Sequence, residues 1–173
     1  MSAKTFAVFM VVLAVIGLLA FGLLDKSEEA IAVGDPAPEP ELTELASGAE
    51  ASLADYRGGW VLVNFWSSWC EPCRDESPAL QAFQDAHPEV AVVGINLEDA
   101  TADARGFVQE LGLTYPQLRA EDGRALRESY SSIARPENFL IDPEGHLAVI
   151  QRGAVTAEDL EERFEPAITQ GPA

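Results

Sequence analysis

The sequence predicts an α/β fold in which a central mixed sheet is flanked by helices. Two nearly continuous apolar runs, residues 60–66 (WVLVNFW) and 90–97 (VAVVGINL), are typical of strands buried on both faces. Each run is followed by a segment with helical character, so the order is strand, helix, strand, helix. A right-handed crossover would place the two strands side by side and parallel.

The first elements before and after the central strand follow from local signals. Residues 41–45 (ELTEL) and 50–53 (EASL) are joined by a short stretch containing Gly48, which predicts an amino-terminal hairpin. A helix should begin near Cys70 and end at about Ala86, because a proline follows two residues later and cannot continue a helix.

The remainder of the chain predicts two helices, a hairpin and a closing helix, at residues 101–111, 124–130, 137–151 and 156–168. Gly112 suits the left-handed position that ends the first of these helices. The two strands of the hairpin, ENFLID and HLAVIQ, are separated by a Pro-Glu-Gly turn. Thr156 is a suitable N-cap for the closing helix, and acidic residues occupy its first turn.

The amino-terminal part of the chain predicts a membrane anchor. Residues 6–24 carry no charge, and at ~1.5 Å per residue they roughly span a ~30 Å hydrocarbon core. Lys4 precedes this run and several acids follow it, so residues 1–5 should stay in the cytoplasm. We expect an uncleaved anchor or signal in the bacterial inner (cytoplasmic) membrane, a linker over residues 25–40, and a folded domain over residues 41–173 on the periplasmic or extracytoplasmic side.

The charge excludes one class of partner. The chain has 29 acidic residues against 11 lysines and arginines, which gives a net charge of −18. Because nucleic-acid binding needs a cationic face, no nucleic-acid partner is expected. The acidity fits a soluble, self-repelling surface and can steer basic protein partners toward the domain.

The two cysteines of the chain, Cys70 and Cys73, lie in the sequence WCEPC. Cys70 is placed where a buried strand turns into a helix, and the positive end of a helix dipole lowers a thiol pKa below its free value of ~8.5. Cys73 lies one helical turn further on, within reach of a disulfide. The spacing therefore suits disulfide exchange, in which Cys70 forms a mixed disulfide and Cys73 resolves it.

Two other uses of the pair are disfavoured. A staple across so short a loop would remove little chain entropy. A structural zinc site needs four ligands, and only His87 and His146 could join the two cysteines, without ligand spacing. We therefore expect neither a metal nor another cofactor, and we favour redox chemistry.

Several spaced motifs carry a family resemblance that covers residues 34–168. VNFWSSWCEPC resembles the active-site strand and turn of the thioredoxin fold, Pro78 matches its helix proline, and ARPENFLID resembles the segment with a cis proline, here Pro136. GDPAPEPEL resembles an entry motif, and residues 95–118 resemble an insert, of the TlpA/ResA/CcmG (DsbE)-like branch. The resemblance implies a thioredoxin-like fold with a TlpA-type insert.

The resemblance also implies a function and a set of site residues. Members of this branch are membrane-anchored thiol–disulfide reductases of the cell envelope, and several serve cytochrome c maturation. It implies client protein disulfides, such as that of apocytochrome c, and a membrane electron donor as partners. Carried onto this sequence, it makes Cys70, Cys73, Glu76 and Pro136 catalytic. Glu76, at the edge of a buried helix face, should have a raised pKa and exchange a proton with Cys73.

Two further residues are expected to contact the client. Trp69 should be exposed beside the disulfide, whereas Trp66 should pack in the core. Arg135 departs from the small or apolar residue that usually precedes the cis proline. Arg135 could stabilise the Cys70 thiolate, select an acidic client segment, or pair with Glu137.

Three alternatives to a reductase remain open. A disulfide donor would use the same residues at a higher potential. A thiol peroxidase is disfavoured because the PxxxTxxC motif of peroxiredoxins is absent. A non-enzymatic copper carrier, or a carrier of another metal, would need a further ligand, for which His146 is the candidate.

Overall fold

The computed structural model describes residue 10, residues 12–18 and residues 30–171. The chain divides into two units, Met1–Ala30 and Ile31–Ala173. In the first unit residues 12–18 are helical and exposed. Among the described residues, no helix combines the length and the hydropathy needed to cross a bilayer. The ends of the expected anchor 6–24, together with residues 1–5 and 25–29, lie outside the described residues.

Seven strands form one mixed sheet in the second unit. Its order is β2-β1-β5-β4-β3-β6-β7, with β3, β4 and β5 parallel and the pairs at both edges antiparallel. This architecture confirms the predicted mixed α/β sheet. The strands are β1 Leu42–Glu44, β2 Glu50–Ala51, β3 Trp60–Trp66, β4 Val90–Asn96, β5 Gln117–Ala120, β6 Glu137–Ile141 and β7 Leu147–Arg152.

The helices flank this sheet and confirm the predicted order. Helix α1 follows β3 and α2 follows β4, so both connect parallel strands. A π-helical turn, Leu160–Phe164, separates the last two helices and makes the closing segment continuous. The helices are α1 Glu71–Ala86, α2 Thr101–Leu111, α3 Gly123–Ser129, α4 Ala157–Asp159 and α5 Glu165–Gln170.

The structure departs from the sequence prediction in two places. The second strand of the first hairpin is only Glu50–Ala51, because Ser52 caps a 3-10 helix over Leu53–Tyr56 and so ends the strand. Strand β5 was not predicted. It is four residues long and lies between β4 and β1, so its pairing depends on contacts remote in sequence.

The sheet is buried on both faces, which explains the apolar run of β3. Val61, Val63 and Phe65 pack into one core cluster, whereas Leu62 packs into another on the opposite side. The second cluster also contains Leu80, with Phe83, Phe164 and other apolar residues. Burying each large apolar side chain contributes about 1.5–3 kcal/mol, so these clusters hold α1 and the closing helices on the sheet.

The entry segment, residues 31–38, lies against one edge of the sheet. Gly34 N donates to Leu147 O at 2.8 Å, and Leu147 N donates to Asp35 O at 2.9 Å. The segment then passes the hydroxyl of Tyr130, which donates to the carbonyl oxygen of Pro38 at 2.9 Å. These bonds fix the entry segment to the first residue of β7 and to the end of α3.

Candidate active site

The two cysteines lie at the amino end of α1 and form a disulfide. Cys70 is the N-cap of the helix, with extended backbone dihedrals, and its sulfur accepts a hydrogen bond from Cys73 N at 3.2 Å. Their Cα atoms are 5.3 Å apart. Once the pair is reduced, the same N–H group and the helix dipole would favour a thiolate at Cys70, which is the nucleophilic form.

Buried apolar side chains pack against the two cysteines. Trp66, Ala104 and Phe107 form one buried cluster with the two cysteines. Trp66 stacks on Phe107 with 4.7 Å between the ring centroids. This packing joins the end of β3 to α2 and holds the cysteine turn in place, and it confirms that Trp66 lies in the core.

Glu76 lies one turn beyond Cys73 on the same buried face of α1 and is only 2% exposed. Its Oε1 atom accepts a hydrogen bond from Asn64 Nδ2 at 2.7 Å. Its Oε2 atom accepts from Asn138 Nδ2 at 3.0 Å and from Val155 N at 2.9 Å. Strands β3 and β6 and the turn before α4 thus converge on one carboxylate.

Burial has the largest effect on the Glu76 carboxyl group, and its pKa is raised to about 7. The hydrogen bonds from Val155, Asn138 and Asn64 act in the opposite direction, because they stabilise the charged form. No ion pair to Glu76 occurs among the residues that the structure describes. A buried carboxyl group with a pKa near neutrality can both take up and release a proton near pH 7.

Two other predicted site residues, Arg135 and Pro136, lie directly before β6. The Arg135–Pro136 peptide bond is cis. The Arg135 guanidinium lies 5.0 Å from the centroid of the Trp69 ring and pairs with Glu98. The suggested pairing of Arg135 with Glu137 is wrong, because Glu137 points into the protein interior, where it pairs with Arg152 at 2.9 Å.

Trp69 is the exposed aromatic residue of the site, with 65% of its surface accessible. Since Cys70 follows it directly and Arg135 lies over its ring, Trp69 and Arg135 are brought together beside the disulfide. The structure thus places Cys70, Cys73 and Glu76 on one helix, with Trp69 and Arg135 in contact at its amino end.

The loop after β4 supports the cysteine turn and was not among the predicted site residues. The Asp99 carboxylate accepts hydrogen bonds from Ser68 N at 2.6 Å and from Asn96 Nδ2 at 2.7 Å. Ser67 Oγ donates to Leu97 O at 2.6 Å. The carboxyl ends of parallel strands meet at one edge of a sheet. The polar residues that follow β4 could therefore have been expected to lie near those that follow β3.

Comparison with known proteins places the chain in a family. Residues 33–150 match the family model described as the AhpC/TSA family. The chain belongs to the AhpC/TSA family. Within it, the chain is 34% identical over 161 residues to the thiol-disulfide oxidoreductase ResA of Geobacillus kaustophilus, covering 92% of this chain and 91% of the relative.

Two further proteins similar to this AhpC/TSA protein are named as thiol:disulfide interchange proteins. It is 34% identical over 137 residues to the thiol:disulfide interchange protein HelX of Rhodobacter capsulatus, covering 78% of this chain and 76% of HelX. A crystal structure from Chlorobium tepidum, named as a thiol:disulfide interchange protein DsbE, superposes with a TM-score of 0.72 and 28% identity, covering 82% of this chain and 98% of the other. The fold is therefore thioredoxin-like, and the protein is a thiol–disulfide oxidoreductase.

Proposed function

We propose that the protein is an extracytoplasmic protein-disulfide reductase that works through the Cys70–Cys73 pair and serves cytochrome c maturation. The observation that carries this proposal is the buried Glu76 carboxyl group beside a disulfide at a helix N-terminus. A pKa of about 7 suits Glu76 to proton transfer during exchange, and a structural disulfide would have no need of such a group.

The proposed cycle begins with both cysteines reduced. The Cys70 thiolate attacks one sulfur of a client disulfide, and the other client sulfur leaves as a thiolate that takes up a proton from solvent. A mixed disulfide then links Cys70 to the client. Cys73 gives its proton to the Glu76 carboxylate and attacks Cys70 Sγ as a thiolate. The Cys70–Cys73 disulfide re-forms, and the second client sulfur leaves as a thiolate that takes up a proton from solvent. Two electrons have passed to the client.

The remaining site residues are proposed to hold the client. Pro136 borders the segment that a client chain would lie against, by the resemblance to the thioredoxin fold. Trp69 offers an exposed aromatic surface next to Cys70. A membrane dithiol donor would then reduce the Cys70–Cys73 disulfide for the next cycle.

The location follows from the first part of the sequence. Residues 6–24 would anchor the chain in the inner membrane, with the lysine side in the cytoplasm and the reductase domain outside. The chain resembles a branch of which several members serve cytochrome c maturation, so the CxxCH disulfide of apocytochrome c is the proposed client.

The test is the reduction potential of the Cys70–Cys73 pair in the full chain in detergent. The protein is equilibrated in graded dithiothreitol buffers, and its thiols are alkylated and counted. A reductase should lie near or below the value of thioredoxin, about −270 mV. A value near about −120 mV would mean a disulfide donor and would refute the reductase proposal.

A second measurement tests the client. A peptide with an oxidised CxxCH segment is incubated with the reduced protein, with a Cys70→Ser variant as the control. Reduction of the peptide by the wild-type protein alone supports the proposal. A protein that exchanges with small disulfides but leaves this peptide oxidised would contradict the role in cytochrome c maturation.

A further inference from the structure

Three charged side chains form a cluster beside the disulfide, which we call the Glu98 cluster: Glu98, Arg127 and Arg135. Glu98 lies in the loop after β4, Arg127 on α3, and Arg135 directly before Pro136. Glu98 Oε1 pairs with Arg127 Nη2 at 2.9 Å, and Glu98 Oε2 pairs with Arg135 Nη2. One carboxylate therefore serves two guanidinium groups.

The Glu98 cluster is incomplete as an ion-pair network. Within the described part of the chain, the Nε atoms of Arg127 and Arg135 are buried without a hydrogen-bond acceptor. A carboxylate that binds a guanidinium side-on uses Nε–H together with one Nη–H, and in both arginines Glu98 engages an Nη–H while the Nε–H lacks an acceptor. The cluster keeps one positive charge in excess, although the whole chain carries −18.

The excess positive charge lies against an aromatic ring beside Cys70, where a client must dock. Arg135 is only 10% exposed and lies over the Trp69 ring, next to Cys70. Trp69 is 65% exposed, and Ile133, two residues before Arg135, is 84% exposed. Within residues 31–171, the other exposed large hydrophobic side chain is Val33. An exposed aromatic ring in contact with Arg135, with a second exposed apolar side chain two residues before Arg135, indicates a contact surface.

Glu98 is able to give up one of its two partners. Its side chain is 40% exposed, so it can remain paired with Arg127 while it leaves Arg135. A second carboxylate at Arg135 would then give two cations and two anions. It would also supply the acceptor that Arg135 Nε lacks, since a buried guanidinium N–H without an acceptor is unfavourable.

We propose that Arg135 selects client segments that carry a carboxylate beside their reactive cysteine, and that this carboxylate binds Arg135 side-on in place of Glu98. An apolar client residue would lie against Trp69 and Ile133 at the same time. This inference rests on the proposed function, because it assumes that clients are protein disulfides attacked by Cys70.

The test compares three synthetic peptides with the same intramolecular disulfide. They differ only in the residue next to the first cysteine, which is Asp, Asn or Lys. The reduced full-length protein is mixed with each peptide, and peptide reduction is followed by mass spectrometry. Each rate is divided by the rate with dithiothreitol, which removes differences in intrinsic reactivity. We expect the Asp peptide to react ~3–10-fold faster than the Lys peptide, and the ratio to fall with added salt.

Three variants assign the effect to the cluster. Arg135→Gln should bring the ratio close to one. Arg124→Gln is the matched control, because Arg124 is an exposed arginine on α3 that pairs with Glu128, and it should leave the ratio unchanged. Glu98→Gln should increase the ratio, since it removes the carboxylate that competes with the client. Arg135→Lys keeps the charge without side-on binding and should retain only part of the preference.

Equal rates for the Asp and Lys peptides with the wild-type protein would overturn the proposal, as would a preference that survives Arg135→Gln. Should Arg135→Gln unfold, the Glu98→Gln and Arg135→Lys ratios decide instead. Failure of the proposed function looks different. In that case no peptide would be reduced faster by the wild-type protein than by Cys70→Ser.

Discussion

Replacement of Glu76 by glutamine should change how the stability of the protein depends on pH. Burial raises the pKa of Glu76 from its ordinary value of 4.5 to about 7 in the folded chain, whereas the unfolded chain keeps the ordinary value. Between these two pH values the unfolded chain loses this proton and the folded chain retains it. The free energy of unfolding must therefore fall as the pH rises through this window.

The magnitude follows from the two pKa values. One pKa unit corresponds to 1.36 kcal/mol, so the rise from 4.5 to about 7 amounts to about 3 kcal/mol. Below pH 4.5 this contribution is constant, because the group is protonated in both states. Above pH 7 it is constant again at its full cost, because the group is ionised in both states.

Glutamine has nearly the shape of the protonated side chain and does not titrate. Relative to the wild type, Glu76→Gln should gain about 3 kcal/mol between pH 4.5 and 8. The measurement is urea unfolding of the oxidised proteins at fixed pH values across this range. Other titrating groups cancel in the difference between the two proteins. Asp75→Asn is the control, because Asp75 is the exposed neighbour on the same helix.

A difference between wild type and Glu76→Gln that stays constant with pH would refute this reasoning. It would mean that the folded and unfolded states bind this proton equally well. The hydrogen bonds from Asn64, Asn138 and Val155 would then have cancelled the effect of burial.

Three further outcomes are expected. Cys73→Ser should accumulate a mixed disulfide between Cys70 and a client peptide, seen as a mass increase that dithiothreitol removes; rapid release of the peptide would show that Cys73 is not the resolving thiol. Leu80→Ala should lower the free energy of unfolding by about 2–5 kcal/mol in urea titrations, because Leu80 is fully buried between α1 and the sheet, and a loss below about 1 kcal/mol would contradict that packing. Thr156→Ala removes the capping box with Asp159 and should cost about 1 kcal/mol, whereas Thr169→Ala, at an exposed site, should cost less.

The central part of the fold was predictable because its signals are local. The apolar run of β3 follows from burial on both faces, and the beginning of α1 follows from the strand that precedes Cys70. Strand β5 could not be predicted in this way. It is four residues long with alternating burial, and it is a strand because β4 and β1 supply its hydrogen bonds from either side.

In the candidate site, too, some features follow from local spacing in the sequence and others only from tertiary contacts. Cys73 and Glu76 share one helix face, so helical spacing was enough to place them together. The donors to Glu76 come from residues that are distant in sequence, such as Asn138 and Val155, and only the assembled sheet brings them near. Arg135 pairs with Glu98 across 37 positions, although Glu137 is closer in sequence, because Glu137 is fully buried and already pairs with Arg152.

The entry segment has a consequence for association between molecules. An open sheet presents unpaired backbone groups at its edges, and these can recruit a strand from another chain into an aggregate. Here one edge strand, β2, is only two residues long, and the first residue of β7 at the other edge is already paired with Gly34 and Asp35. A chain shortened to begin after Pro38 would free the Leu147 N–H and C=O groups, and it should self-associate at concentrations at which the intact protein stays dispersed.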